Sequence, residues 1–186
     1  MTLENFVKKL VNFFKAWSEE ASKEKLSVII NVIHLFQDLI EQSENEDEKE
    51  KMQNLLNKCN VTETIMGYMS SPNISSKIFG SLVQLSVSLL DGGNSLVQNE
   101  IYNYFVKNSK SEQFFFQLSS LINKEINIIN KQKSHYEKID ICMKQINYSY
   151  KMHPDFKMAN LLRLMQLFTE NHNSNLQVKN HLLKIL

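Results

Sequence analysis

Residues 78–94 read IFGSLVQLSVSLLDGGN, an apolar run that ends in a polar turn containing two adjacent glycines. The large apolar side chains recur at steps of three and four residues, which is the period of one face of an α-helix. A glycine in such a turn can take the left-handed backbone conformation that closes a helix. The segment therefore predicts a strong helix that stops at residues 91–94.

The same helical period continues on both sides of this segment. Apolar stripes predict further helices over residues 3–17, 26–40, 52–59, 65–69, 96–105, 111–129 and 161–168. The acidic run 43–50 has no apolar anchor, and it is interpreted either as a solvated linker or as the start of the next helix. Pro72 lies in a polar stretch that predicts a turn.

Composition agrees with an all-α fold. The 186 residues include only four Gly and two Pro, too few for the many turns of a β-sandwich or barrel. Helices of this length joined by short turns suit antiparallel hairpins packed in series. Such hairpins form either a segment of an armadillo- or HEAT-like helical solenoid or a globular helical bundle. No repeat of fixed period is visible, so the pattern does not choose between these two.

Charge and chemistry exclude several functional classes. A formal net charge of +1 argues against nucleic acid as a partner, since nucleic-acid binders usually carry a basic surplus. Two cysteines far apart favour a reducing compartment. No run of 18 apolar residues and no signal-peptide pattern is present, which predicts that this segment makes no direct membrane contact.

The residue types of a catalytic site are not arranged in any familiar motif. The chain contains no phosphate-binding glycine loop, no GxSxG and no HExxH, so we expect no enzyme activity. His34 falls on an apolar helix face and is predicted to be a histidine with satisfied hydrogen bonds or a half-buried one, rather than a catalytic residue. The other histidines outside the motifs below have no partner at metal-ligand spacing: His135, His153 and His181. At most two rings of Phe114–Phe116 can face a core, which leaves the third as a hint of contact with a neighbour.

Two stretches resemble a known family. Residues 89–98, LLDGGNSLVQ, followed by 110–115, KSEQFF, are similar to the RIH domain of the intracellular calcium-release channels, the inositol trisphosphate and ryanodine receptors. Residues 164–177, LMQLFTENHNSNLQ, resemble the RIH-associated segment that comes next in those channels. The two motifs occur in the family's order, and the Ser-Glu-x-Phe-Phe run is closer to the inositol trisphosphate receptor branch.

The resemblance implies a function without catalysis. In the family, this region belongs to a cytosolic armadillo-like solenoid on the endoplasmic reticulum membrane, and it relays ligand binding to the pore of a homotetrameric calcium channel. The implied partners are other parts of the channel. Neither a ligand pocket nor a pore lies in these 186 residues, so a fragment, a truncated gene model or a free-standing relative is expected. The alternative function is a stand-alone helical scaffold that binds protein partners.

The resemblance also implies an organisation of the chain and a metal ligand. The expected parts are an unassigned helical pair (1–45), an RIH-like helical domain (46–130), a variable connection (131–155) and the start of the RIH-associated segment (156–186). Glu170 matches the glutamate that supplies a carboxylate to the family's activating calcium site, and His172 matches a residue beside it. Calcium takes six to eight oxygen ligands, so we expect at most half a site and weak binding. The alternative is that Glu170 is a surface acid near a helix end.

Overall fold

The computed structural model describes residues 2–16, 23–72, 74–109, 111–139 and 158–170. Every regular element in this part of the chain is an α-helix, which confirms the predicted all-α fold class. The helices are α1 (Leu3–Lys15), α2 (Lys23–Glu41), α3 (Glu46–Lys58), α4 (Val61–Met69), α5 (Ser76–Leu90), α6 (Ser95–Lys107), α7 (Ser111–Ile139) and α8 (Met158–Thr169). None of the helices described is both long enough and apolar enough to cross a lipid bilayer.

Local signals determine where α3 begins. The Asn45 side chain accepts a hydrogen bond from the backbone N–H of Glu48 at 3.0 Å, and it therefore caps the helix. Three acidic residues occupy the first turn, where the helix dipole favours negative charge. The acidic run 43–50 thus belongs to the start of α3 from Glu46 onward, in agreement with the second of its two interpretations.

Helix α5 lies at the centre of the molecule. Its sequence carries one charged residue, Lys77, and ten of its fifteen residues are buried. A helix that is apolar on most sides needs neighbours on most sides, and α5 packs against α2, α4, α6 and α8. Ser86 is only 1% exposed, and its hydroxyl donates to the Leu82 carbonyl oxygen at 2.8 Å, so this buried polar group has a partner.

The first two helices share the core formed by the later ones. Helix α2 packs along α5, and Val7 and Phe14 of α1 belong to the same cluster of buried apolar side chains. The Tyr68 ring of α4 meets the Phe14 ring edge-on with centroids 4.4 Å apart, and its hydroxyl donates to the Phe14 carbonyl oxygen. The division into four sequence parts and the choice between solenoid and bundle stay predictions.

Two predictions about helix faces have different outcomes. Phe114 is fully buried whereas Phe116 is 68% exposed, which confirms that one ring of the phenylalanine run faces outward. His34 is exposed, so the prediction of a half-buried histidine is wrong. One residue advances an α-helix by about 100°, and this step turns His34 away from the face on which Ile33 is fully buried.

Helix α7 extends beyond its predicted apolar stripe and ends at Ile139. The beginning of the predicted connection 131–155 is therefore helical, and its remainder from residue 140 lies outside the described residues. The predicted late helix over 161–168 is present as α8.

We expect substitution of Leu85 by Ala to lower the free energy of unfolding by about 2–5 kcal/mol, because the side chain is fully buried in α5 and its removal leaves a cavity. Urea denaturation of both proteins measures the change. The control is Leu162→Ala on α8, where the side chain is 56% exposed and the expected change is within about 0.5 kcal/mol. Equal losses in the two variants would contradict the central position of α5.

Candidate functional site

The turn between α5 and α6 is built on a left-handed backbone. Gly92 and Gly93 have φ angles of 80° and 73°, in a region that side chains with a Cβ rarely occupy. The Gly93 N–H donates to the Leu90 carbonyl oxygen at 2.9 Å and so closes the end of α5. A Cβ added to Gly92 would meet only Glu46 Oε2, at 3.9 Å. The need for glycine at position 92 is therefore conformational rather than a matter of space.

A buried amide from α3 satisfies the end of α5. The Gln53 side chain is 1% exposed, and its Nε2 donates to the carbonyl oxygens of Ser88 and Asp91, each at 2.9 Å. The last carbonyls of a helix have no partner within the helix, and leaving one buried and unpaired costs about 1–3 kcal/mol. Gln53 thus supplies the hydrogen bonds that water would otherwise donate to these two carbonyl oxygens.

Asn94 joins the same amide to the start of α6. Its Nδ2 donates to Gln53 Oε1 and to Asn54 Oδ1, both at 2.9 Å, while its Oδ1 accepts from the N–H groups of Leu96 and Val97, both at 3.1 Å. One side chain therefore caps α6 and holds the Gln53 amide in orientation. Both side chains are nearly inaccessible to solvent, so α3, α5 and α6 meet through hydrogen bonds made within the protein.

Gln98 extends this network to α8. Its Nε2 donates to the carbonyl oxygens of Leu167 at 2.9 Å and Glu170 at 3.1 Å, which are at the C-terminal end of α8. Gln98 is 1% exposed. A single side chain of α6 thereby satisfies two carbonyls at the end of a helix distant in the sequence.

Charged groups surround the outer side of the turn. One oxygen of the Asp91 carboxylate accepts from Lys49 Nζ, and the other lies 3.4 Å from a terminal nitrogen of Arg163. The same arginine nitrogen lies 3.9 Å from Glu170 Oε2. Arg163, the only arginine in the chain, therefore stands between a carboxylate of the α5–α6 turn and a carboxylate after α8.

These contacts shift the ionisation of two groups. The hydrogen bond from Lys49 is the main cause that lowers the pKa of Asp91, with the charge and hydrogen bond of Arg163 adding to it against the opposing effect of burial. The hydrogen bond to Asp91 raises the pKa of Lys49, and the nearby Glu46 adds to this rise. Both groups are therefore held in their charged forms.

A polar cleft of about 430 Å³ opens beside the turn, between the start of α3 and the start of α6. Its lining carries the carboxylates of Glu46, Asp47, Glu50 and Asp91 against the ammonium of Lys49. The cleft thus presents an acidic edge over the buried amide network. In the described ranges, no three His, Cys, Asp or Glu side chains are grouped so that they could hold a metal ion.

We call the contact between the α5–α6 turn and the end of α8 the junction; it is formed by Asp91, Gln98, Arg163 and the predicted metal ligand Glu170. Glu170 follows α8 directly, its Oε2 is buried without a hydrogen-bond partner, and the positive charge beside that oxygen is Arg163. His172 lies outside the described residues, as do His153, His181 and the side chain of His135. Calcium binding by Glu170 stays a prediction.

Sequence reasoning did not identify Gln53 and Gln98. Both lie where a helical stripe would be apolar: Gln53 is three residues, about one helical turn, before Leu56, and Gln98 is three residues before Ile101. A polar side chain at a core position is the signal that could have indicated them, because a buried amide requires hydrogen-bond partners. Their partners could not be named from the pattern.

The segments 89–98 and 110–115, which carry the first part of the resemblance, both contact the described part of the segment 164–177. The segment 89–98 and the part of 164–177 that is described, up to Glu170, touch through the hydrogen bonds of Gln98 to the carbonyl oxygens of Leu167 and Glu170. Arg163, just before the segment 164–177, adds an ion pair with Asp91. Phe114 and Phe115 of the segment 110–115 pack on the core near Phe168 of α8, with the rings of Phe114 and Phe168 6.4 Å apart. A scan against protein-family models found no match for this chain.

We expect Gly92→Ala to lower the free energy of unfolding by about 1–2 kcal/mol, because alanine must adopt the left-handed conformation there. The matched control is Gly67→Ala in α4, where a Cβ meets no atom within 4 Å. Gly67 is exposed and helical, so this change should raise the stability by about 0.5–1 kcal/mol. Denaturant titration distinguishes the two, and equal effects would contradict the left-handed turn.

The lowered pKa of Asp91 predicts a pH dependence of stability. A carboxyl whose pKa in the folded state lies below its unfolded value of about 3.9 stabilises the fold fully above that unfolded value. This contribution is lost as the pH falls through the folded pKa. We therefore expect Asp91→Asn to lower the melting temperature at pH 7, and we expect this loss to become smaller as the pH falls below about 3.9 towards the folded pKa. Thermal melts from pH 7 to pH 3 test this, with Asp38→Asn on the exposed face of α2 as control. A loss at pH 7 that persists unchanged at pH 3 would show that Asp91 acts by packing alone.

Proposed function

We propose that this chain is a regulatory relay segment of an inositol trisphosphate receptor-like calcium-release channel, on the cytosolic face of the endoplasmic reticulum. It acts without catalysis, by passing displacements between packed helices to other parts of a homotetrameric channel. The support is the resemblance of its two motifs together with their contact in the fold.

The observation that carries the proposal is the double hydrogen bond of Gln98 to the end of α8. The bond to Leu167 is buried and the bond to Glu170 is partly buried, so a displacement of α8 either moves α6 or leaves these carbonyls without their donor. The network of Gln53 and Asn94 transmits the same displacement to α3 and α5. A junction with these properties suits a relay, because coupling between distant sites is carried by packed elements and hydrogen-bond networks.

The test uses native membranes from cells that express the gene. An antibody raised against the purified chain should detect a polypeptide far larger than 21.8 kDa, in a tetrameric complex of the endoplasmic reticulum fraction. Vesicles containing that complex should release calcium when inositol trisphosphate is added. A polypeptide of 21.8 kDa found only in the supernatant would overturn the proposal.

A substitution at the junction tests the relay itself. Gln98→Leu introduced into the native polypeptide should shift the inositol trisphosphate concentration for half-maximal release by about fivefold or more, because the coupling between α6 and α8 is weakened. Gln42→Leu provides the control, since Gln42 is exposed at the end of α2. An unchanged dose response in the Gln98 variant, with tetramers intact, would remove the junction from the relay.

The second candidate function is a stand-alone helical scaffold that binds protein partners. It is favoured by Phe116, which is 68% exposed beside the fully buried Phe114. A partner that covered this ring would gain the free energy of removing its apolar surface from water. The same fractionation decides between the two functions, because the scaffold predicts a 21.8 kDa polypeptide outside the tetrameric complex.

A further inference from the structure

The position of Arg163 bears on the predicted calcium ligand. One of its terminal nitrogens lies 3.4 Å from Asp91 Oδ1 and 3.9 Å from Glu170 Oε2. The Glu170 oxygen is buried and accepts no hydrogen bond, so the guanidinium is the positive charge that compensates it. A cation bound to that oxygen would have to share its place with Arg163.

The residues around Glu170 do not fit a calcium ion. Calcium requires six to eight oxygen ligands. The backbone carbonyl oxygens of Leu167 and Glu170 both accept from the Gln98 amide, which offers a donor where calcium needs an acceptor. The guanidinium of Arg163 would repel a divalent cation at this distance.

Two carboxylates and two cations form the centre of the junction, and Glu46 is a third carboxylate, 3.7 Å from Lys49. Asp91 and Glu170 supply two carboxylates, while Lys49 and Arg163 supply two cations, and each cation contacts Asp91. Arginine suits this position because its guanidinium stays charged and presents several donors to more than one carboxylate. Lysine would offer a single ammonium on a flexible stem.

We propose that Arg163 is the resident cation of this junction. It bridges Asp91 to Glu170 in the place that the resemblance assigns to calcium, and it holds the end of α8 against the α5–α6 turn without a metal ion. The end of α8 is then held against the α5–α6 turn at all times, and not only when calcium is bound. This inference rests on the geometry of the described side chains and does not depend on the chain belonging to a channel.

The experiment is a calcium titration of the full chain by isothermal calorimetry, with thermal melts in EDTA and in calcium chloride. For the unaltered chain we expect binding no tighter than roughly millimolar, unaffected by Glu170→Gln, and no rise in melting temperature with calcium relative to magnesium. For Arg163→Gln we expect a lower melting temperature in EDTA. We also expect calcium affinity to increase by about tenfold or more, since the repelling charge is gone and two carboxylates are left facing each other.

Three further variants separate the charge of Arg163 from other effects. Arg163→Lys should keep the low calcium affinity, because a cation remains between the carboxylates. Arg163→Gln combined with Glu170→Gln should lose the calcium gained by the single change. Lys58→Gln removes an exposed cation that pairs with Glu4 at 3.2 Å, away from the junction, and should gain no calcium.

Two results would overturn the proposal. Calcium binding by the unaltered chain that disappears in Glu170→Gln would mean that Glu170 is free to bind the metal. A folded Arg163→Gln variant, verified by circular dichroism, with unchanged melting temperature and unchanged calcium affinity would show that the arginine bridges nothing. If Arg163→Gln does not fold, the Arg163→Lys and Glu170→Gln titrations still decide, because tight calcium binding that Glu170→Gln abolishes contradicts the proposal.

Discussion

The C-terminal end of α5 is buried, and its carbonyl oxygens must find donors inside the protein. The Gln53 amide supplies these donors, from a side chain that is only 1% exposed. The bond to the Ser88 carbonyl is buried, and leaving that carbonyl without a donor is costly, so the fold is stabilised when α3 places Gln53 at the end of α5. Asn94 then holds the other end of the same amide and caps α6, so the relative positions of three helices follow from one hydrogen-bond requirement.

The remaining contacts of the junction extend from this centre. Gln98 is one helical turn beyond Asn94, and it reaches the end of α8 with a second buried amide. On the solvent side, Asp91 forms ion pairs with Lys49 and Arg163, and Arg163 also pairs with Glu170. The inner part of the junction consists of buried and partly buried hydrogen bonds within the protein. The ion pairs on its outer side are partly exposed, so salt weakens them.

Much of the fold could be predicted from the sequence, because the local period of apolar residues indicates where the helices are. The end of α5 was predictable from the pair of glycines, and both glycines do have a positive φ. The outward ring, Phe116, was predictable because three consecutive phenylalanines cannot all face the core. The exposure of His34 was not, since a single 100° step decides whether a residue at the edge of a stripe is covered. Of the candidate site, Glu170 was named from resemblance, while its pairing with Arg163 was not.

The sequence by itself determined the helices, the left-handed turn at Gly92 and Gly93, and the apolar faces that form the core, since each depends on residues within a few positions of one another. Only the tertiary structure decided that Gln53, Gln98 and Arg163 act at one place. The separations along the chain are large: Gln98 reaches Glu170, and Arg163 reaches Asp91, each across 72 residues. The partner of a polar side chain at such a distance depends on how the helices pack, and no local pattern records that packing.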